Sequence, residues 1–293
     1  MQSNTGPNTK AALAIEGGSF STIYAAGAVD VLMEHQIWFE YVNGVSAGAL
    51  TAYDYIARLP GRVREYNEKL CCDPRFLGIR NFIRTGNLFD FDYMYRLSDD
   101  DLRAAENQAV LTSTQTFELG ATNCRTGEIT FFSKSRMPME KFRLACKASA
   151  SIPEVTDVVP IDGDPYLDGG CACPVPFQRP IDLGYRKVMV IVSHDKTYTE
   201  HPAKPSVERI IMRKYAAFPK FLSVLMRNCV THHEHYQALY QLEQEGRIFL
   251  MQPSGGNRIR GLERDPRRLE KLYQEGRMDM EKRLPDFQRY LKF

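Results

Sequence analysis

The chain has 293 residues, 43% of them hydrophobic, and a formal net charge of +2, which suits a large α/β domain with an appendage and excludes a small stapled fold. Its seven cysteines, an odd number that includes the pairs Cys71-Cys72 and Cys171/Cys173 without two Cys-x-x-Cys halves, support neither a zinc ribbon nor a secreted disulfide framework, so reduced thiols in a cytoplasm are expected. The N-terminus, Met1 to Lys10, is polar and no apolar stretch reaches membrane-spanning length, which argues against a signal peptide and a transmembrane anchor.

After this tail of residues 1–10, a strand is predicted at 11–16, followed by Gly17-Gly18-Ser19 and a helical pattern at 23–36. Backbone N–H groups gather at such a helix N-terminus and can hold an anion. A P-loop lysine and a full dinucleotide fingerprint are both missing, so no nucleotide cofactor is expected, and an oxyanion hole for acyl transfer fits better. The next strand, 39–43, runs into Gly44-Val45-Ser46-Ala47-Gly48 and a helix at 47–58. Strand, tight turn and helix is the context in which Gly-x-Ser-x-Gly becomes a nucleophile elbow, with Gly44 and Gly48 sparing the turn large neighbours and Ser46 as candidate nucleophile. Further on, Phe82-Ile83, Leu88-Phe89, Phe91, Tyr93-Met94 and Tyr95 crowd between Gly78 and Gly86. These could cap a lipid site, but core filling is the favoured reading because aromatics are mostly buried.

Strands follow at 114–121 and 128–133, joined by Thr126-Gly127-Glu128 as a hairpin turn, then a helix at 139–149. The stretch Ala148-Ser149-Ala150-Ser151-Ile152-Pro153 leads to Asp168-Gly169-Gly170, where Asp168 ends a short extended piece and is the candidate base; an ordinary Asp-Gly turn is the structural alternative. A strand at 187–193 ends at His194, placed for a Ser-His-Asp triad or for plain loop duty. Residues 206–246 read as helical with Pro219 interrupting the pattern. His232, His233 and His235 lack the His-Glu-x-x-His spacing, so a solvated face rather than a metal site is expected. A last strand at 247–253 precedes a charged helix to about Leu291, and from Arg247 onward 12 Lys/Arg face 7 Asp/Glu. Anionic headgroups or nucleic acid could use such a basic surplus, but mixed signs along a helix more often mark a solvated face, and no nucleic-acid-binding pattern accompanies them. Strands alternating with helices imply an α/β fold with a mainly parallel central sheet flanked by helices.

Glu16-Gly17-Gly18, Gly44 to Gly48, Ala148 to Pro153 and Asp168-Gly169-Gly170, in this order, resemble the motifs of the patatin-like phospholipase family. The resemblance covers residues 11 to 195 and implies a three-layer fold, with Ser46 as nucleophile, Asp168 as its sole dyad partner and Gly17, Gly18 and Ser19 as the oxyanion hole. It further implies a lipid or other acyl-ester substrate, peripheral contact with a membrane and no cofactor. The organisation expected is a catalytic domain over 11–205 with a helical region and C-terminal extension, 206–293, packed on it, similar to a bacterial subgroup of the family. The sequence departs from the family in the loop: Ser19, Ser21 and Thr22 stand where a third glycine, an arginine and another glycine are usual. That departure motivates an alternative, a catalytically weak lipid-binding or regulatory protein on the same fold.

Overall fold

The computed structural model describes residues 8–85, 87–97, 100–153, 155–202, 204–259 and 261–292. The first seven residues of the polar tail, Gly86 and the side chain of Tyr95 lie outside the described set. The chain runs β1 (Thr9–Ile15), α1 (Ile23–Glu34), β2 (Phe39–Val45), α2 (Ala47–Ala57), α3 (Arg62–Leu70), α4 (Ile79–Thr85), α5 (Phe91–Tyr95), α6 (Asp100–Thr112) and β3 (Thr116–Asn123). It continues through β4 (Ile129–Ser133), α7 (Met139–Ser149), β5 (Val159–Ile161), β6 (Asp164–Asp168), α8 (Gln178–Asp182), β7 (Val188–Ile191), α9 (Pro205–Lys214), α10 (Pro219–Gln244), β8 (Ile248–Met251) and α11 (Pro266–Lys292).

One sheet holds all eight strands in the order β5-β6-β3-β2-β1-β7-β8, with β4 on the remaining edge of β3. Strands β3, β2, β1, β7 and β8 are mutually parallel, as a mainly parallel sheet requires, while β4 and β6 run antiparallel to β3 and β5 antiparallel to β6. The expected hairpin joins β3 to β4, with Gly127 at φ 73°. A second, β5 to β6, turns at Asp162-Gly163, both at positive φ (52° and 84°).

Strand β1 is a continuous apolar run because both its faces are covered. Leu13 and Ile15 point into the larger core with Leu32 of α1, Ala52 of α2 and Phe287 of α11. Ala12 and Ala14 point the other way, against Tyr236 and Leu239 of α10. The sheet is thus sandwiched between helical layers. The helical pattern does break at Pro219: α9 ends at Lys214 and Pro219 starts α10, where its missing N–H costs nothing.

The C-terminal region is helical and also supplies the edge strand β8 beside β7. Its long helix α11 lies directly on α1, where a Cβ built at Gly27 or Gly276 would overlap the carbonyl oxygen of Tyr273 or Tyr24. Among the described residues no helix is long and apolar enough to cross a membrane.

Candidate active site

Strand β2 delivers Ser46 at the point where the backbone must turn into α2. The turn holds Ser46 at φ 55°, ψ −132°, a conformation that L-residues adopt at a cost. Its glycines are needed for space rather than freedom. A Cβ at Gly44 would stand 2.5 Å from the carbonyl oxygen of Gly48, and one at Gly48 would stand 2.5 Å from that of Ile15, so α2 can start this close to β1 only without side chains.

Asp168 arrives from the opposite direction. Strand β4 occupies one edge of β3, and β2 and β6 share the other, β2 parallel and β6 antiparallel. The two therefore run toward each other. Val45 pairs with Gly120 and Asp168 with the next residue, Ala121, so the C-terminal ends of β2 and β6 meet. Ser46 Oγ donates a 2.6 Å hydrogen bond to Asp168 Oδ2, with the two residues 7% and 6% exposed. Gly169 permits this meeting, since a Cβ there would overlap the carbonyl oxygen of Gly120.

Surrounding hydrogen bonds fix both groups. The Gly170 N–H donates to Asp168 Oδ1 (2.7 Å), the Asp168 N–H to the Ser151 carbonyl (2.9 Å), and the Thr122 hydroxyl to the Asp168 carbonyl (2.7 Å). The Ser46 N–H donates to Ser149 Oγ (3.0 Å), whose hydroxyl donates to the Gly120 carbonyl (2.6 Å). Ser149 and Ser151 thus tie the end of α7 and the segment after it to both sides of the site. Sequence reading saw this segment only as part of a motif.

The loop after β1 lies against the elbow. A Cβ at Gly17 would come 2.8 Å from Ser46 Cβ, and Gly18 sits at φ 152° against Ser193. Ser19 takes φ 52°, the left-handed conformation that glycine would adopt more readily. It lines the cavity beside Ser46. Ser21 and Thr22 are buried: Ser21 Oγ has no hydrogen-bond partner among the described residues, and Thr22 Oγ1 lies 3.3 Å from Ser193 Oγ. Glu16 anchors the loop from behind, accepting from the Ser193 N–H (2.5 Å) and the Tyr236 hydroxyl (2.8 Å), with His232 Nε2 at 3.2 Å.

A cavity opens at Ser46 and extends along α2, with about 1130 Å³ of empty space counting its mouth. Leu50, Leu70, Phe76, Phe89, Phe91 and Met94 give it an apolar wall, and Asp54, Arg62 and Glu106 add a charged patch. Arg62 Nη1 lies 2.8 Å from Glu106 and 3.6 Å from Asp54. Burial pushes the Asp54 carboxyl up to about 7, Arg62 opposing and Glu106 reinforcing the shift. Core filling, expected for the aromatic segment, holds for Phe89 and Phe91 but fails for Phe82 and Ile83, which are exposed.

A family model for patatin-like phospholipases matches residues 13–181, more than half of the chain. The chain belongs to the patatin-like phospholipase family. A second model, for a domain of unknown function (DUF6363), matches residues 218–292. The uncharacterized protein YjjU of Escherichia coli (strain K12) is 28% identical over 185 residues, 61% of this chain and 51% of that protein. This chain therefore spans about half the length of the curated relative it matches. Among solved structures, VipD from Legionella pneumophila aligns with a TM-score of 0.48 and 12% identity, over 96% of this chain and 67% of that one. The type III effector protein ExoU aligns with a TM-score of 0.43 and 12% identity, over 98% of this chain and 54% of that one.

In this patatin-like chain His194 does not line the cavity; its ring stacks on Tyr198 at 3.8 Å with the planes 8° apart. Burial holds its pKa below the ordinary histidine value. The solvated face expected for the α10 histidines holds only for His233. His232 is buried against Glu16, and His235 Nδ1 accepts the Val175 N–H at 3.4 Å. The contact between Glu16 and α10 was missed because a carboxylate at a strand end and a histidine on a helix carry no shared pattern.

Proposed function

We propose that this chain hydrolyses carboxylic ester bonds of acyl lipids, whether phospholipids, lysophospholipids or other acyl esters, through a Ser46-Asp168 dyad. The observation that carries the reading is the 2.6 Å hydrogen bond from Ser46 Oγ to Asp168 Oδ2 on a strained strand-to-helix turn, within a family of lipid acyl hydrolases. Ser46 attacks the ester carbonyl as Asp168 takes its proton. The Gly17, Gly18 and Ser19 amides hold the oxyanion; the Ser46 N–H is engaged by Ser149. Collapse breaks the ester C–O bond and Asp168 returns the proton to the leaving alcohol. Water, deprotonated by Asp168, then attacks the acyl-enzyme and releases the acid. The cavity's apolar wall takes the acyl chain.

Residues 11–205 would carry this chemistry, with 206–293 as an extension packed on them, in a cytoplasmic protein that meets membranes peripherally. Labelling by a fluorophosphonate probe with p-nitrophenyl ester hydrolysis tests the dyad. Ser46→Ala should lose both, and Asp168→Asn should lose about a hundredfold to ten-thousandfold in kcat. Full turnover in Asp168→Asn, with its loss in His194→Ala, would favour the triad instead.

One observation favours a second reading, a weak enzyme that mainly binds lipid: Ser19 carries a Cβ at φ 52° where the family has glycine. Under it, Ser19→Gly raises esterase turnover at least tenfold. No gain in an already active protein removes it.

A further inference from the structure

Helix α4 has its amphipathicity turned inside out. At about 3.6 residues per turn, Ile79, Phe82 and Ile83 share one face, and they are 65%, 41% and 79% exposed. Asn81 lies on the opposite face, is buried, and donates from its side-chain amide to the carbonyls of Arg75 (2.9 Å) and Phe76 (3.2 Å). The polar residue thus anchors the helix while the apolar ones face outward. Arg80 and Arg84 flank that face, both exposed, with Arg84 Nη2 3.5 Å from Asp90 Oδ2, and the helix itself, IRNFIRT, carries no acid. Surface helices of ordinary domains bury their apolar stripe.

The base of α4 is closed by a bridge between Leu77 and Phe89 and by the Asp90 N–H donating to the Phe76 carbonyl (2.8 Å). Phe76 and Phe89 line the cavity that contains Ser46. The outward apolar face and the cavity's apolar wall therefore belong to the same short segment.

We propose that α4 is a membrane-docking helix, inserting Ile79, Phe82 and Ile83 into the interface of a bilayer whose anionic headgroups are met by Arg80 and Arg84. Exposed apolar area with flanking cations is what interfacial binding to an anionic bilayer requires. A stable protein interface buries about 800 Å² per partner, well beyond three side chains of one short helix. The proposal rests on the acyl-lipid reading for what the cavity receives, a lipid drawn from that bilayer; the docking itself needs no catalysis.

The experiment is co-sedimentation of the Ser46→Ala protein with vesicles of equimolar phosphatidylcholine and phosphatidylglycerol, and of phosphatidylcholine alone. Anionic vesicles should be bound more tightly, with about a tenfold or greater loss in Ile79→Ser/Ile83→Ser and a several-fold loss in Arg80→Gln/Arg84→Gln or at high salt. In Phe82→Trp, emission should move to shorter wavelength on anionic vesicles, the native Trp38 being only 2% exposed and a constant background. With Ser46 intact, Ile79→Ser/Ile83→Ser should keep wild-type hydrolysis of a soluble p-nitrophenyl ester, showing that the fold survives. A protein that binds vesicles but hydrolyses nothing would overturn the acyl-hydrolase reading and leave the docking surface standing. No vesicle binding, or binding undiminished in Ile79→Ser/Ile83→Ser, overturns the docking helix. So does a dimer in sedimentation velocity that the same substitutions dissolve, which would make the face a contact between copies of this chain.

Discussion

The Ser46 N–H points at a side chain, Ser149 Oγ, which in turn holds the Gly120 carbonyl on β3. Removing that hydroxyl leaves a buried donor and a buried acceptor unmatched at the elbow. Ser149→Ala is therefore expected to cost about 1–3 kcal/mol in stability, read by urea denaturation. Because Ser149 touches the backbone of the proposed nucleophile and does not line the cavity, kcat should fall with KM little changed. A rise in KM alone would contradict a positioning role. The residues proposed for chemistry were legible in the sequence because their motifs describe local geometry: glycines where a turn is too tight for side chains. Ser149 was not legible as a partner, since nothing in a serine's neighbours says which backbone amide it will meet.

Packing of α1 against α11 depends on two glycines facing each other's backbone, Gly27 against Tyr273 and Gly276 against Tyr24. Gly276→Ala should force the helices apart and lower stability by about 3 kcal/mol or more, seen as a lower urea midpoint. Helix α2 sets a second expectation. Asp54 lies eight residues beyond Ser46, about 12 Å along a helix rising 1.5 Å per residue. An acyl chain following α2 that far meets Asp54, Arg62 and Glu106, an ion-pair cluster already largely withdrawn from water that offers its methylenes no apolar partner and would lose what hydration it keeps. In a p-nitrophenyl ester series, medium chains should be hydrolysed faster than palmitoyl ones, and equal rates would show that the chain takes another path. Element boundaries were readable where a physical signal was local, as with Thr126-Gly127-Glu128. The Asp162-Gly163 turn carried an equally good hairpin signal, but strands as short as β5 and β6 have too little alternation to be recognised around it.

Two buried carboxyls give the whole molecule a pH signature. Burial raises Asp30 to about 6, against the hydrogen bond from Tyr273, and Asp54 to about 7. In the unfolded chain both titrate near about 3.9. Between these limits the native state binds more protons than the unfolded state, so this contribution is full below about 4 and is lost as pH rises through 6 to 7. Asp195 works in the other direction: burial opposes its ionisation, but hydrogen bonds from Arg258 and Thr197 outweigh that and hold its carboxyl down at about 2. Its contribution is present above about 4 and lost as pH falls toward 2. These two carboxyls should therefore pull urea midpoints down between about pH 5 and pH 7.5, against the opposite pull of His194 and His235, which burial keeps neutral in the folded protein, and Asp54→Asn should remove its share of that fall. A slope unchanged in Asp54→Asn and Asp30→Asn would show that neither carboxyl retains its proton in the folded protein.

What the sequence determined by itself was local: the strand-turn-helix around Ser46, the glycine loop after β1, the apolar runs of a sheet covered on both faces, and the order of motifs that marks the family. What only the tertiary structure decided was which of these pieces touch. Ser46 and Asp168 are 122 positions apart, and they meet because β2 and β6 share one edge of β3 from opposite ends. Glu16 is held by α10, and α4 faces outward because Asn81 is held inward. Each depends on pairing between distant segments, and such pairing follows from the packing of the whole chain, which periodicity and spacing within a segment do not encode.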